Sequence, residues 1–165
     1  MSPDDITLLF HTSSHTSFHS SRRVEREELR GFLAEITRRV ARGRTIACLI
    51  ANDAEVRRLN RQFRGKDHAT DVLSFPPANP NGVAGDIAIS IDRARVQAAE
   101  RGHSLADELR ILMLHGALHL AGMDHESDSG EMARAESRWR KRLGLPDGLI
   151  ERSQTRKPTR KKAKR

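Results

Sequence analysis

Apolar residues recur along this chain with two periods, and the switches between them mark its elements. Asp5-Ile6-Thr7-Leu8-Leu9-Phe10 reads as a first strand. From Val24 to Val40, the residues Leu29, Phe32, Leu33, Ile36 and Val40 fall at helical spacing, and Gly43 closes that helix. Residues 44–51 form an apolar, partly β-branched run, the mark of a buried strand. Asp53 is placed to cap a short helix with Val56, Leu59 and Phe63 on one face, stopped by Gly65. Asp71-Val72-Leu73-Ser74-Phe75 reads as a strand ended by Pro76-Pro77, and Pro80-Asn81-Gly82 as a turn. Ile87, Ile89 and Ile91 alternate with Ala88 and Ser90, as in a half-buried strand, and Asp92 caps a polar helix reaching about Arg101.

The next segment has a different character. Ser104-Leu105-Ala106-Asp107 has the form of a capping box, and the helix it opens, to about Ala121, is apolar on nearly every side: Leu109, Ile111, Leu112, Met113, Leu114, Leu118, Leu120. A helix of that kind is buried, so the polar residues inside it need a reason, and two of them are His115 and His119. A last helix, about 128–143, carries Met132, Trp139 and Leu143, with Gly144 and Pro146 as stops. Trp139 reads as core. Strands mixed with helices that cluster late predict an α+β domain.

Composition narrows this only slightly. The length, 165 residues, suits one domain, here 1–148, with residues 149–165 as a basic tail. The net charge of +8 resembles that of a nucleic-acid binder, but residues 151–165 hold eight Lys/Arg and one Glu, which leaves residues 1–150 at +1. Basicity therefore resides in the tail, which would bind polyanions without sequence preference. Cys48 sits in an apolar run and reads as a buried thiol; a lone Cys suits a reducing compartment. The N-terminus opens with Asp4 and Asp5 and shows no secretory pattern, and no apolar run approaches the ~18 residues of a membrane span, so the expected location is the cytoplasm.

His115 and His119, one turn apart on one helix face, have the spacing that lets two imidazoles share a tetrahedral zinc. His125 completes a set only if the chain turns back, since a continuing helix would carry it about 15 Å along the axis from His115. Gly122 is placed to make that turn. The run is H-x3-H-x2-G-x2-H, the ligand spacing of metzincin proteases, but their general-base Glu is replaced here by Gly116, which argues against proteolysis. Three ligands and an open fourth position make a catalytic rather than a structural zinc site. His11, His15 and His19 also lie four apart, but in a Ser/Thr-rich segment, residues 11–21, with no apolar stripe to hold a helix, so no second metal site is expected there.

Around these residues the chain resembles the YbeY family of bacterial endoribonucleases. Residues 115–125 fit its H-G-x-L-H-L-x-G-Y-D-H motif except at Met123, where the family usually has Tyr. Residues 59–76 fit a second block through Leu59-Asn60, Phe63-Arg64, Lys66-Asp67 and Thr70-Asp71-Val72-Leu73-Ser74-Phe75-Pro76, with Ala69 in place of the usual Pro. Gly85-Asp86-Ile87 fits a third. The likeness covers about residues 45–145 and leaves out residues 11–21 and the tail.

The resemblance implies a mixed four-stranded sheet packed around a buried central helix that carries the metal motif, and one zinc ion on His115, His119 and His125. It also implies that Arg64 is the functional arginine, lining a positively charged groove beside the metal. It implies action on ribosomal RNA, notably the 3′ end of the 16S RNA and defective ribosomes, with small-subunit proteins and an assembly GTPase as partners. Arg64 suits a bidentate grip on phosphate. Asp124 either orients a ligand His as an outer acceptor or caps the turn. Glu126, Asp128 and Glu131 read as the solvated start of the last helix. With no Glu at 116, the attacking group is either zinc-bound hydroxide or the RNA's own 2′-OH. The alternatives are a non-catalytic rRNA-binding assembly factor with structural zinc, kept open by the low body charge and the lack of exposed aromatics, and a zinc hydrolase of another class.

Overall fold

Strands β1 (Thr7–His11), β2 (Thr45–Ala51), β3 (Val72–Phe75) and β4 (Val83–Ser90) form one sheet in the spatial order β1-β2-β4-β3. The computed structural model of the chain describes residues 6–11 and 21–146. β1 and β4 run parallel to β2, and β3 pairs antiparallel with β4, so the sheet is mixed. Five helices accompany it: α1 (Ser21–Arg39), α2 (Asp53–Arg64), α3 (Ile91–Arg101), α4 (Leu105–Leu120) and α5 (Glu131–Leu143). The fold is α+β.

Side chains alternate across a strand, and the two sheet faces receive unequal cover. Ile46, Cys48 and Ile50 of β2 and Ile87 and Ile89 of β4 join Leu33 and Ile36 of α1 and Ile111, Leu112, Leu114 and Leu118 of α4 in the main core. The opposite face holds a small cluster, Ala51, Val56, Leu73 and Ala88, with Leu49, Leu59 and Phe75 at its margin and α2 as its cover. Leu9 of β1 stays exposed there. α4 packs against α1, α3, α5, β3 and β4. From Glu108 to Leu118 every α4 residue except Arg110 is buried. Cys48 is buried as expected, and burial pushes its thiol up to about 12.

Several local expectations are revised. Asn52, not Asp53, caps α2, its side chain accepting from the Glu55 N–H. Ser90, not Asp92, caps α3, so Ile91 starts a helix instead of continuing a strand. β4 is buried on both faces from Ile87 to Ser90, because it is an interior strand with α4 on one side and α2 on the other. Phe63 is 61% exposed: the last turn of α2 lies at the edge strand β3, where no further strand covers the ring. α5 begins at Glu131 with Gly130 as its left-handed cap, and Asp128 accepts from the N–H groups of Gly130 and Met132. His15 and His19 lie outside the described residues, as does the basic tail. Among the described residues no helix is long and apolar enough to cross a membrane.

Gly85 explains the Gly-Asp-Ile block. At this point β4 carries an extra residue, Thr45 facing Val83 while Ile46 faces Gly85, and Gly85 has φ +136°. A Cβ there would strike the Phe75 carbonyl and come within 2.7 Å of the Leu120 side chain. The glycine thus lets β3 and the end of α4 close on β4, next to the histidines.

Candidate metal centre

α4 ends in a Schellman turn. Met123 N–H donates to the Leu118 carbonyl at 3.1 Å and Gly122 N–H to the His119 carbonyl at 2.9 Å, with Gly122 at φ +92°. The chain reverses as the sequence demanded and brings His125 back over the helix end. Ring centroids of His115 and His119 stand 4.8 Å apart, and each lies 5.3 Å from that of His125. One nitrogen from each ring can be chosen so that all three lie within 4.8 Å of one another. Exposure rises along the set: His115 is buried, His119 half-buried, His125 exposed.

Two details fit these rings to a metal. His115 Nδ1 lies 3.0 Å from Oε2 of Glu136, a residue of α5 that is itself buried. A carboxylate only accepts, so Nδ1 carries the proton and Nε2 offers its lone pair to the centre of the set. His119 Nε2 stands 3.2 Å from His115 Nε2, against about 3.3 Å for two nitrogens bound tetrahedrally at zinc distances. Burial lowers the His119 pKa below its ordinary value, and the neighbouring His115 and His125 lower it further. Both causes favour the neutral ring, the form in which a histidine binds metal.

The triad opens into a cavity of about 510 Å³ that Arg64, Thr70, Val72, Ser74 and Pro76 also line. Arg64 thus lines the same cavity as the three imidazoles. It has no carboxylate within 4.0 Å among the described residues. The groove is not positively charged by its own side chains, however. Asp71, Asp124 and Glu126 line the same cavity, so its carboxylates outnumber the one guanidinium, Arg64, and the site attracts cations. Asp124 directs its hydrogen bonds into the turn, accepting from Glu126 N–H at 3.1 Å and Ser127 Oγ at 2.9 Å. Those donors, with His119 and His125, hold its carboxyl below the usual range.

Gly116 turns away from the cavity. A Cβ there would lie 3.0 Å from two Ile87 carbons, and its carbonyl accepts from Ser74 Oγ at 3.2 Å. Its lack of a side chain thus suits the close packing of α4 on the sheet at Ile87.

Sequence reasoning did not find Glu136. The available signal was an acidic residue on the same helix stripe as Met132 and Ala135. It also missed Asn60, buried on α2, whose Nδ2 donates to the His68 carbonyl at 2.8 Å and fixes the loop after Arg64. Asp67 secures that loop from outside by a bidentate pair with Arg57 at 2.8 and 2.9 Å.

Three imidazoles converging beside an open cavity of about 510 Å³ have the arrangement of a metallohydrolase site. The family model for endoribonuclease YbeY matches residues 14–144, and the chain belongs to that family. The match reaches well before residue 45, where the recognisable motifs begin, and takes in part of the segment 11–21. The chain is 53% identical over 143 residues to the endoribonuclease YbeY of Solibacter usitatus, covering 87% of this chain and 96% of that one. It is 44% identical over 123 residues to the endoribonuclease YbeY of Helicobacter pylori, covering 74% and 88%. The solution structure of a Thermotoga maritima protein superposes with a TM-score of 0.58 at 26% identity, covering 97% of this chain and 99% of that one.

Proposed function

We propose that this chain is a zinc-dependent endoribonuclease that cleaves single-stranded RNA, acting in 16S rRNA 3′-end maturation and ribosome quality control. The observation that carries the reading is the convergence of His115, His119 and His125 next to Arg64 in one open cavity. The family and its endoribonuclease relatives supply the reaction class.

Each residue has a part. Glu136 fixes the tautomer and ring angle of His115. His119 and His125 complete the donor set from opposite sides of the Gly122 turn. Zinc, when bound, supplies an acidified water and a Lewis acid for a phosphoryl oxygen. Arg64 grips the phosphate and offsets charge as it builds on the non-bridging oxygens. Asp124 holds the turn that presents His125. The single catalytic domain spans 1–148 and the tail 149–165 contacts RNA by counterion release. Small-subunit proteins and an assembly GTPase are the expected partners, and the cytoplasm the expected location.

Purified protein should carry about one zinc per chain and cleave labelled rRNA, a chelator should stop cleavage, and His119→Ala should lose both metal and cleavage. A protein that retains its fold and cleaves equally well without metal would overturn the reading. The products identify the attacking group: a 2′,3′-cyclic phosphate indicates the 2′-OH, a 5′-phosphate indicates water.

A further inference from the structure

We infer that Phe63 is a stacking platform for an unpaired base of the RNA whose phosphate Arg64 holds; the inference rests on the ribonuclease reading above. Among the described residues the exposed large apolar side chains are Leu9, Phe63, Val83 and Val96, and Phe63 alone is aromatic. Its position in the α2 stripe would suit a core residue, yet its ring is mostly open. The ring is braced, not loose: it meets Phe75 edge-on, with centroids 5.4 Å apart and planes at 63°. Phe75 runs directly into Pro76 on the cavity rim. The platform thus borders the metal cavity without lying in it.

Adjacent residues on a helix point about 100° apart. Arg64 can therefore face the cavity while Phe63 faces out over the edge strand. A single strand crossing that edge would present a phosphate to the guanidinium and a neighbouring base to the ring. Arg61, one helical turn before Arg64 and with Asp67 4.0 Å away, and Lys66, just past the helix, are both exposed cations near Arg64 in the chain. An isolated aromatic set among cations is the pattern of single-strand recognition, where every base has a π-face to offer. A protein-docking patch would instead cluster apolar groups and exclude charge from its centre. Leu9, Val83 and Val96 belong to other elements and build no such cluster around Phe63.

The test uses zinc-loaded full-length protein and a fluorescein-labelled single-stranded RNA of 16S 3′-end sequence, intact or with one abasic nucleotide moved along it. One abasic position should weaken wild-type binding about tenfold, the size of one lost stack. Phe63→Ala should bind the intact RNA about tenfold more weakly and lose nothing more at that abasic position. Phe63→Trp should bind like wild type and Phe63→Leu like Phe63→Ala. Unchanged binding by Phe63→Ala, full rescue by Phe63→Leu, or an effect only on self-association would overturn the inference. If Phe63→Ala does not fold, the leucine and tryptophan variants and the wild-type abasic scan decide it. Wild-type protein that cleaves RNA while Phe63→Ala binds normally sinks this inference alone; wild-type protein that neither binds nor cleaves sinks the ribonuclease reading with it.

Discussion

The two faces of the sheet are built to different standards. On one, α1 and α4 bury a continuous core, and His115 and His119, two of the three candidate metal ligands, rise from α4. On the other, α2 covers a small cluster, Leu9 is open to solvent, and the helix ends in an exposed ring and a guanidinium with no carboxylate within 4.0 Å among the described residues. Metal ligands must be held to within a fraction of an ångström, and dense packing on a rigid helix does that. Groups that receive a flexible single strand tolerate, and use, a thinner support. The molecule assigns precision to one face and access to the other.

Truncation should expose this contrast most strongly. Leu112→Ala, in the α4 core, should cost about 2–5 kcal/mol, whereas Leu59→Ala, at the margin of the thin face, should cost about 1 kcal/mol. Urea unfolding of the two variants measures both, and equal losses would erase the distinction. The next effect separates the two carboxylates near the histidines. Glu136→Gln should weaken zinc about 10–100-fold, the usual consequence of disturbing an outer hydrogen bond. Asp124→Asn, which alters only the exposed turn, should leave affinity near wild type. Competition against a chromophoric chelator reads both, and the reverse order would reassign the orienting role to Asp124. The smallest effect is a pH slope. His119 titrates lower in the folded protein than in the unfolded chain, whose ordinary value is 6.5. Below that value the unfolded state takes up the proton first, so the metal-free protein should lose stability as pH falls from about 6.5, levelling off beneath the depressed folded pKa. Melting curves of metal-free wild type and His119→Gln should diverge in that window; parallel curves would mean the ring is not desolvated.

What could be read from the residues was local. The Ser104 cap, the all-apolar helix and the Gly122 reversal depend on neighbours within a turn or two, so spacing alone placed His115, His119 and His125 together. Glu136 lies 21 residues from the ring it orients, and no local rule joins them. Phe63 failed for a related reason. Its helical spacing is that of a core residue, but whether a stripe is covered depends on where the sheet ends, and that is set by the order β1-β2-β4-β3. Arg64 was found only through a motif; its place in the cavity follows from the loop that Asn60 and Asp67 tie down.

The close fit of Gly116 against Ile87 also bears on redesign. A glutamate grafted at that position would have to push the Ile87 side chain aside, and it would start out toward the sheet, away from the cavity that His115 and His119 line. The spacing shared with zinc proteases therefore comes without a route to peptidase chemistry by simple replacement, and any proton acceptor for the proposed reaction has to be recruited from the cavity walls or from the nucleic acid.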